Sequence, residues 1–259
     1  MPPILLAIDI GNTSASFGIF GGKKLLSGWR MPISSVRGAP TLAKRIASKA
    51  RGVKFDGVCI ASVVPRLNRI FRLACRSAFG FPPVFVGPSR AGIRMSGYPA
   101  RKIGVDRLLG AAAAFERHGR AVVVVDIGSA VTFDAVDSGG RFLGGAIAPG
   151  PGLMAASLSA MTARLPRVAP QRPRRATGRD TRSCILSGVV LGTAGAVDRV
   201  VSEISKEMRE KPVVVATGGF AGLIAPLSRT ISRVHPNLVL EGLSLAWERR
   251  RRRIDNAAG

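Results

Sequence analysis

An internal repeat restricts this chain more than any other feature. The apolar run Ile4-Leu-Leu-Ala-Ile8 ends in Asp9-Ile10-Gly11, and a second apolar stretch at 15–20, a Gly21-Gly22 turn and a third stretch at 23–30 follow. The series returns at 121–147. Ala121-Val-Val-Val-Val125 runs into Asp126-Ile127-Gly128, followed by a stretch at 130–136, the turn Ser138-Gly139-Gly140 and a stretch at 141–147. Each copy reads as strand, tight turn, strand, glycine hairpin, strand. A lone Asp-x-Gly triplet says little. The whole pattern occurring twice, with Asp9 and Asp126 in equivalent places, predicts two similar α/β halves facing each other, over 1–118 and 119–259.

Helical patterns follow each copy. Helices are expected over 40–51, 65–79 and 105–117 in the first half, and over 152–161, 181–209 and 240–253 in the second. Further strands are expected at 57–61, 83–86 and 213–216, with loops at 87–101 and in the Arg- and Pro-rich stretch 163–177. With 46% hydrophobic residues in 259, either half can bury a core. No apolar run reaches the roughly 18 to 20 residues a bilayer span needs. The start has no basic segment, and Asp9 interrupts its apolar run, so it reads as a first strand and not as a secretory signal. Three widely spaced cysteines, Cys59, Cys75 and Cys184, read as free thiols of a reducing compartment, and two histidines build no metal cluster. A cytoplasmic protein without a membrane contact is expected.

The charge is unusual: 39 Lys and Arg stand against 15 acidic residues, a formal net of +24. Such a surplus attracts anions, nucleotides and nucleic acids among them. Arginines spread over solvated faces produce the same count. Aromatics are only 5% and scattered, and no nucleic-acid-binding module is visible, so nucleic acid is not an expected partner despite the basic surface.

Four turns carry chemistry. Asp9-Ile10-Gly11-Asn12-Thr13 closes a buried strand with an acid, a glycine, an amide and a hydroxyl. Its main-chain N–H groups can form an anion nest, and Asp9 can hold a hydrated Mg²⁺ on a phosphate group. The same residues also suit an ordinary β-turn. Asp126-Ile127-Gly128-Ser129-Ala130 repeats this logic, so two turns could clamp a triphosphate from both sides. Thr217-Gly218-Gly219, directly after a strand, offers a flat surface for a base or ribose, or simply starts a helix. Gly104-Val105-Asp106-Arg107 opens a helix, where the dipole favours an anion. There Arg107 can pair with a carboxylate and Asp106 can accept a hydroxyl proton, or Asp106 is only a helix cap. The chain has no GxxxxGK[ST] loop, and no GxGxxG follows its first strand.

The order of acid-glycine, acid-glycine and glycine-glycine turns resembles the phosphate-1, phosphate-2 and adenosine motifs of the actin, sugar-kinase and heat-shock ATPase superfamily. A longer ordered set is more specific. Asp9-Ile-Gly-Asn-Thr13, Gly104-Val-Asp-Arg107, Asp126-Ile-Gly-Ser-Ala130 and Gly144-Gly-Ala-Ile-Ala-Pro-Gly150 come first. Thr162-Ala-Arg-Leu-Pro166, Gly178-Arg-Asp-Thr181, Ser187-Gly188, Thr217-Gly-Gly219 and Leu238-Val-Leu-Glu-Gly-Leu243 follow. This set resembles the type III pantothenate kinases over nearly the whole chain.

The resemblance implies an α/β fold of two duplicated ribonuclease-H-like (actin-like ATPase) domains, each a mixed sheet flanked by helices. It implies ATP-dependent phosphorylation of pantothenate, the first step of coenzyme A synthesis. By the family's pattern, Asp9, Ile10, Gly11, Asn12, Thr13, Ser14, Ala15, Ser16 and Ser129 contact ATP. Asp106 is the proton acceptor. Tyr98, Gly104, Val105, Asp106, Arg107 and Thr181 contact pantothenate, Thr181 across a homodimer. Asp126 holds a monovalent cation, K⁺ or NH₄⁺, and Mg²⁺ accompanies ATP. Three departures stand out. Tyr98 lies one residue from the family's tyrosine position, Phe220 replaces an acid after Thr217-Gly-Gly219, and Arg249–Arg253 is unusually basic. Two other readings are a catalytically weak relative serving as a transcriptional accessory factor and another small-molecule kinase of the same superfamily.

Overall fold

A computed structural model of the chain describes residues 2–97 and 99–258. Tyr98, expected to touch substrate, lies outside the described residues. The chain forms two compact units: Met1–Ile93 with Pro99–Ala113 and Leu238–Gly259, and Arg94–Tyr98 with Ala114–Asn237. These units depart from a single cut at residue 118, chiefly because the last helix belongs to the first unit.

The first unit holds strands β1 (Ile4–Ile10), β2 (Ser14–Gly21), β3 (Lys24–Pro32), β4 (Gly57–Ser62) and β5 (Val84–Phe85), in the sheet order β3-β2-β1-β4-β5. β1 pairs antiparallel with β2 and parallel with β4, and β2 pairs antiparallel with β3. β1 is apolar because helices cover both its faces, as is usual for a strand with a parallel neighbour. Leu6, Ile8 and Ile10 enter a core with Leu42, Ala43 and Ile46 of α1 (Ala39–Lys49) and Leu67, Phe71 and Ala74 of α2 (Pro65–Phe79). In that core Phe17 stacks on Trp29 at 4.9 Å between ring centroids. Strand alternation turns Leu5, Ala7 and Asp9 to the opposite face.

The second unit holds β6 (Arg94–Met95), β7 (Val122–Ile127), β8 (Ala130–Val136), β9 (Arg141–Pro149), β10 (Val213–Thr217) and β11 (Arg233–Val234), ordered β11-β10-β7-β8-β9-β6. Without β6, this order and its strand directions repeat the first sheet, with β7, β8, β9, β10 and β11 in the places of β1 to β5. The duplication read from the sequence is the architecture: two α/β units that share one strand order. Val123, Val125 and Ile127 pack against Val190, Ala194 and Val197 of α5 (Thr181–Met208). Alternation turns Asp126 to the other face, the same relation Asp9 has in its own unit.

α3 (Val105–His118) crosses the division between units, and α4 (Pro151–Met161) and α6 (Ala221–Ile224) belong to the second. α7 (Leu238–Ala258) covers β1, β2 and β4 of the first. Two elements differ from expectation. The expected loop 87–101 contains β6, paired with β9, and β11 lies where no element was expected, while α6 is the helix that the Thr217-Gly218-Gly219 turn could start. Elements this short have no hydrophobic period to read. α5 also corrects the reading of apolar runs: it holds an 18-residue window of mean hydropathy 1.6, long and apolar enough to cross a bilayer. Half of that window is buried inside the protein, so its composition serves a core.

Candidate active site

In the first unit, Asp9 is the penultimate residue of β1, opposite Ser16 on β2 and Ala61 on β4. The strand then turns tightly, and the Gly11 N–H donates to the Ser14 carbonyl at 3.0 Å. Asn12 and Thr13 are exposed at the tip. Ile10 and Ala15 are fully buried, so any contact they make with a ligand comes from their main chain. Ser14 is partly buried, and the Ser16 hydroxyl accepts from the Arg30 guanidinium at 3.2 Å. Arg30 had no sequence motif to mark it. The β2–β3 register, which sets Ser16 against Arg30, brings a cation beside the turn.

The second motif of this unit, Gly104–Arg107, starts α3. The Asp106 carboxylate folds back over Gly104, where a Cβ would clash with it, and accepts the Arg107 N–H at 2.8 Å. Burial pushes the Asp106 carboxyl above the usual aspartate range, while the Arg107 N–H and guanidinium pull the other way. A carboxylate destabilised by burial is a stronger proton acceptor than one in water. Gly104 and Val105 line a cavity of about 410 Å³ with Ser62, Val63 and Asn68. Asn68 was absent from every motif, yet its Oδ1 is buried with no hydrogen-bond partner among the described residues.

Val63 joins the two motifs. Its N–H donates to the Ile10 carbonyl at 3.1 Å, and its side chain lies against Gly104. The acid turn after β1 and the start of α3 are therefore neighbours in one unit.

In the second unit the acid turn is one residue shorter. The Gly128 N–H donates to the Ala130 carbonyl two residues on, at 2.9 Å, where Gly11 reaches Ser14 three residues on. Two glycines press on it. Gly150 donates to the Ser129 carbonyl at 3.0 Å, and a Cβ there would strike the Gly128 and Ser129 carbonyls. Gly218, at φ +91°, leaves no room for a Cβ beside the Asp126 carboxylate and the Ile127 carbonyl. The Asp126 carboxylate and the Ile127 carbonyl thus both border the space Gly218 leaves open, and Thr217 is the register partner of Asp126 on β10. A carboxylate and a carbonyl are the kind of oxygen donors a hard cation takes. Ser129 is exposed at the tip. Phe220, in the place of the family's acid, donates its N–H to the Ile127 carbonyl at 2.9 Å and lays its ring against Gly152.

Thr181 is the exposed first residue of α5. Asp180 before it caps the helix, accepting the Ser183 N–H at 2.9 Å, while the Ser183 hydroxyl answers the Asp180 N–H. The Gly178-Arg-Asp-Thr181 motif is thus a helix start that presents Thr181 outward.

Comparison with known proteins adds the family. The type III pantothenate kinase profile matches residues 5–203. The chain is 40% identical over 252 residues to the type III pantothenate kinase of Moorella thermoacetica, covering 95% of this chain and 99% of that one. Among solved structures it resembles a protein assigned to the Baf family of transcriptional activators from Campylobacter jejuni, at TM-score 0.59 and 21% identity over 95% of this chain and 99% of that one. It also resembles a protein assigned as a 2-dehydro-3-deoxygalactonokinase from Sinorhizobium meliloti, at TM-score 0.57 and 14% identity over 95% and 98%. At such identities these two speak for the fold alone. The profile match and the close relative, together with the acid turns and the Gly104–Arg107 helix start, establish that the chain belongs to the type III pantothenate kinase family.

Proposed function

We propose that this protein transfers the γ-phosphoryl group of ATP to the hydroxyl of pantothenate, giving 4'-phosphopantothenate in the first step of coenzyme A synthesis. The observation that supports the reading is Val63, which bonds the Ile10 carbonyl of the first acid turn and lies against Gly104, two residues before Asp106. A phosphate-binding turn and a proton acceptor must be neighbours for transfer between bound molecules.

In this reading the main chain of residues 9–16, with the Asn12 and Thr13 side chains, holds the ATP phosphates, and Ser129 adds a hydroxyl. Arg107 pairs with the pantothenate carboxylate, while Gly104 and Val105 shape its cavity. Asp106 takes the proton from the attacking hydroxyl. In the same reading Asp9 would hold Mg²⁺ and Asp126 would hold K⁺ or NH₄⁺. When bound, these cations neutralise phosphate charge, a task without a P-loop lysine in this chain. Tyr98 and Thr181 complete the pantothenate contacts, Thr181 serving the neighbouring subunit of a homodimer in the cytoplasm. Phe220 leaves the adenine end without the family's acid.

The test is ADP formation from ATP with and without pantothenate, in potassium and in sodium. Turnover that requires pantothenate, with the product phosphorylated on its hydroxyl, is expected, and it should fall when sodium replaces potassium. ATP consumption indifferent to pantothenate would overturn the reading.

A further inference from the structure

The first unit carries a second cavity, of about 620 Å³, between β5 and the end of α7. Its apolar lining includes Val84, Val86 and Ala246, with Phe85 and Trp247 the largest apolar side chains. Cys59 also lines it, its thiol pushed up to about 12 by burial, so it acts as an uncharged wall. The rim is cationic. Arg249, Arg250 and Arg253 occupy one helical face below Ala246, and Arg90 approaches from the loop after β5. All four arginines are exposed, and Arg249 donates to the Gly92 carbonyl. No carboxylate is among the described residues lining the cavity. The Trp247 Nε1 is buried, with no acceptor among the described residues.

Solvation alone does not explain this arrangement. An arginine run that only kept the helix end wet would need no apolar hollow beneath three of its members. Ligand cavities commonly measure about 300–1,000 Å³, with apolar walls and a few placed polar groups. Guanidinium groups at the mouth are suited to phosphate or carboxylate, with bidentate pairing available. We propose that this cavity is a second ligand site, which takes an amphipathic anion: an alkyl or acyl chain on Phe85 and Trp247, ending in a phosphate or carboxylate among Arg90, Arg250 and Arg253.

The test is a titration of the full-length protein with octyl phosphate, octanoate, octanol and inorganic phosphate, followed by tryptophan fluorescence and by isothermal calorimetry. Octyl phosphate should produce a saturable fluorescence change that is lost in Trp247→Phe. The double variant R250A/R253A, with unchanged kinase turnover, should bind it at least about ten-fold more weakly, the scale of one or two charge-assisted contacts. Octanol and inorganic phosphate should each bind more weakly still, because each supplies half of the recognition. Octanoate binding as tight as octyl phosphate supports any anionic head, and weaker binding narrows the site to phosphates. Calorimetry gives the same comparison should Trp247→Phe fail to fold. No saturable heat, equal binding by the arginine variant, or inorganic phosphate binding as tightly as octyl phosphate would overturn the proposal.

Discussion

Asp106 is held between opposed influences: burial raises its pKa, while the Arg107 N–H and guanidinium lower it, and burial wins. A raised pKa means that the carboxylate is lost at a higher pH than for an ordinary aspartate. The acid limb of kcat should therefore lie above the usual aspartate range, and turnover should fall as pH drops through it. Asp106→Asn should lower kcat by about 10²- to 10⁴-fold, the usual worth of general-base catalysis, and remove that limb from the residual activity. The sign for stability is the reverse. An acid whose folded pKa is raised disfavours folding at pH above its unfolded value, where it must ionise. The Asn variant should thus unfold at an equal or higher urea concentration at neutral pH, which separates lost chemistry from lost structure. Asn68 makes a second case. Its buried, unpartnered oxygen lines the cavity of Gly104 and Val105. A neutral hydrogen bond is worth about 1 kcal/mol, so Asn68→Ala should raise the KM for pantothenate about five-fold with kcat little changed. A fall in kcat alone would count against a substrate contact. Asp106 was legible because glycine, acid and base stand together in the chain. Asn68 was not, because it enters the cavity from a helix whose sequence differs in no way from a core helix.

Elements were legible where apolar runs were long. β1, β4, β7 and β10 were expected within a residue or two of their ends, and α2 over the residues it occupies. The two-residue strands β6 and β11 were not, since pairing alone defines them. The placement of α7 was also out of reach. It follows the second repeat in the chain yet packs on the first sheet, and sequence order carries no record of that return. Its seat explains two glycines. The Trp247 ring occupies the space a side chain at Gly57 of β4 would need, and Gly242 rests on the Leu109 main chain. Gly57→Ala must displace an indole from a packed site, and overpacking of this kind costs about 1–3 kcal/mol. Urea denaturation should show that loss, with Trp247 fluorescence shifting toward that of a solvated indole. An unchanged midpoint would mean that α7 is seated more loosely than the contact implies.

At the scale of the whole molecule, the equivalence of Asp9 and Asp126 is a consequence of duplication. The same strand order places each acid one residue before the end of a central strand, on the face away from the helices that pack with the alternate residues. Charge, by contrast, follows no such repeat. Basic residues exceed acidic ones by 24, and the exposed pairs Arg199–Glu203 and Lys206–Glu203 draw on a single acid. Exposed pairs of this kind contribute little. The surplus acts instead as a diffuse positive field, which attracts polyanions without reading them. A labelled DNA duplex should bind at low salt with no preference between sequences. If the contact involves roughly 6–10 phosphates, affinity should fall by about 10³- to 10⁵-fold between 50 and 200 mM NaCl. Fluorescence anisotropy across that range checks both points. A shallow salt dependence with a clear preference for one sequence would mean that the surface reads bases, and would bring a role in transcription forward beside the kinase. A steep and indiscriminate loss would leave the arginines as an electrostatic coat, with the cavity under Arg250 and Arg253 the place where that charge is organised around a shape.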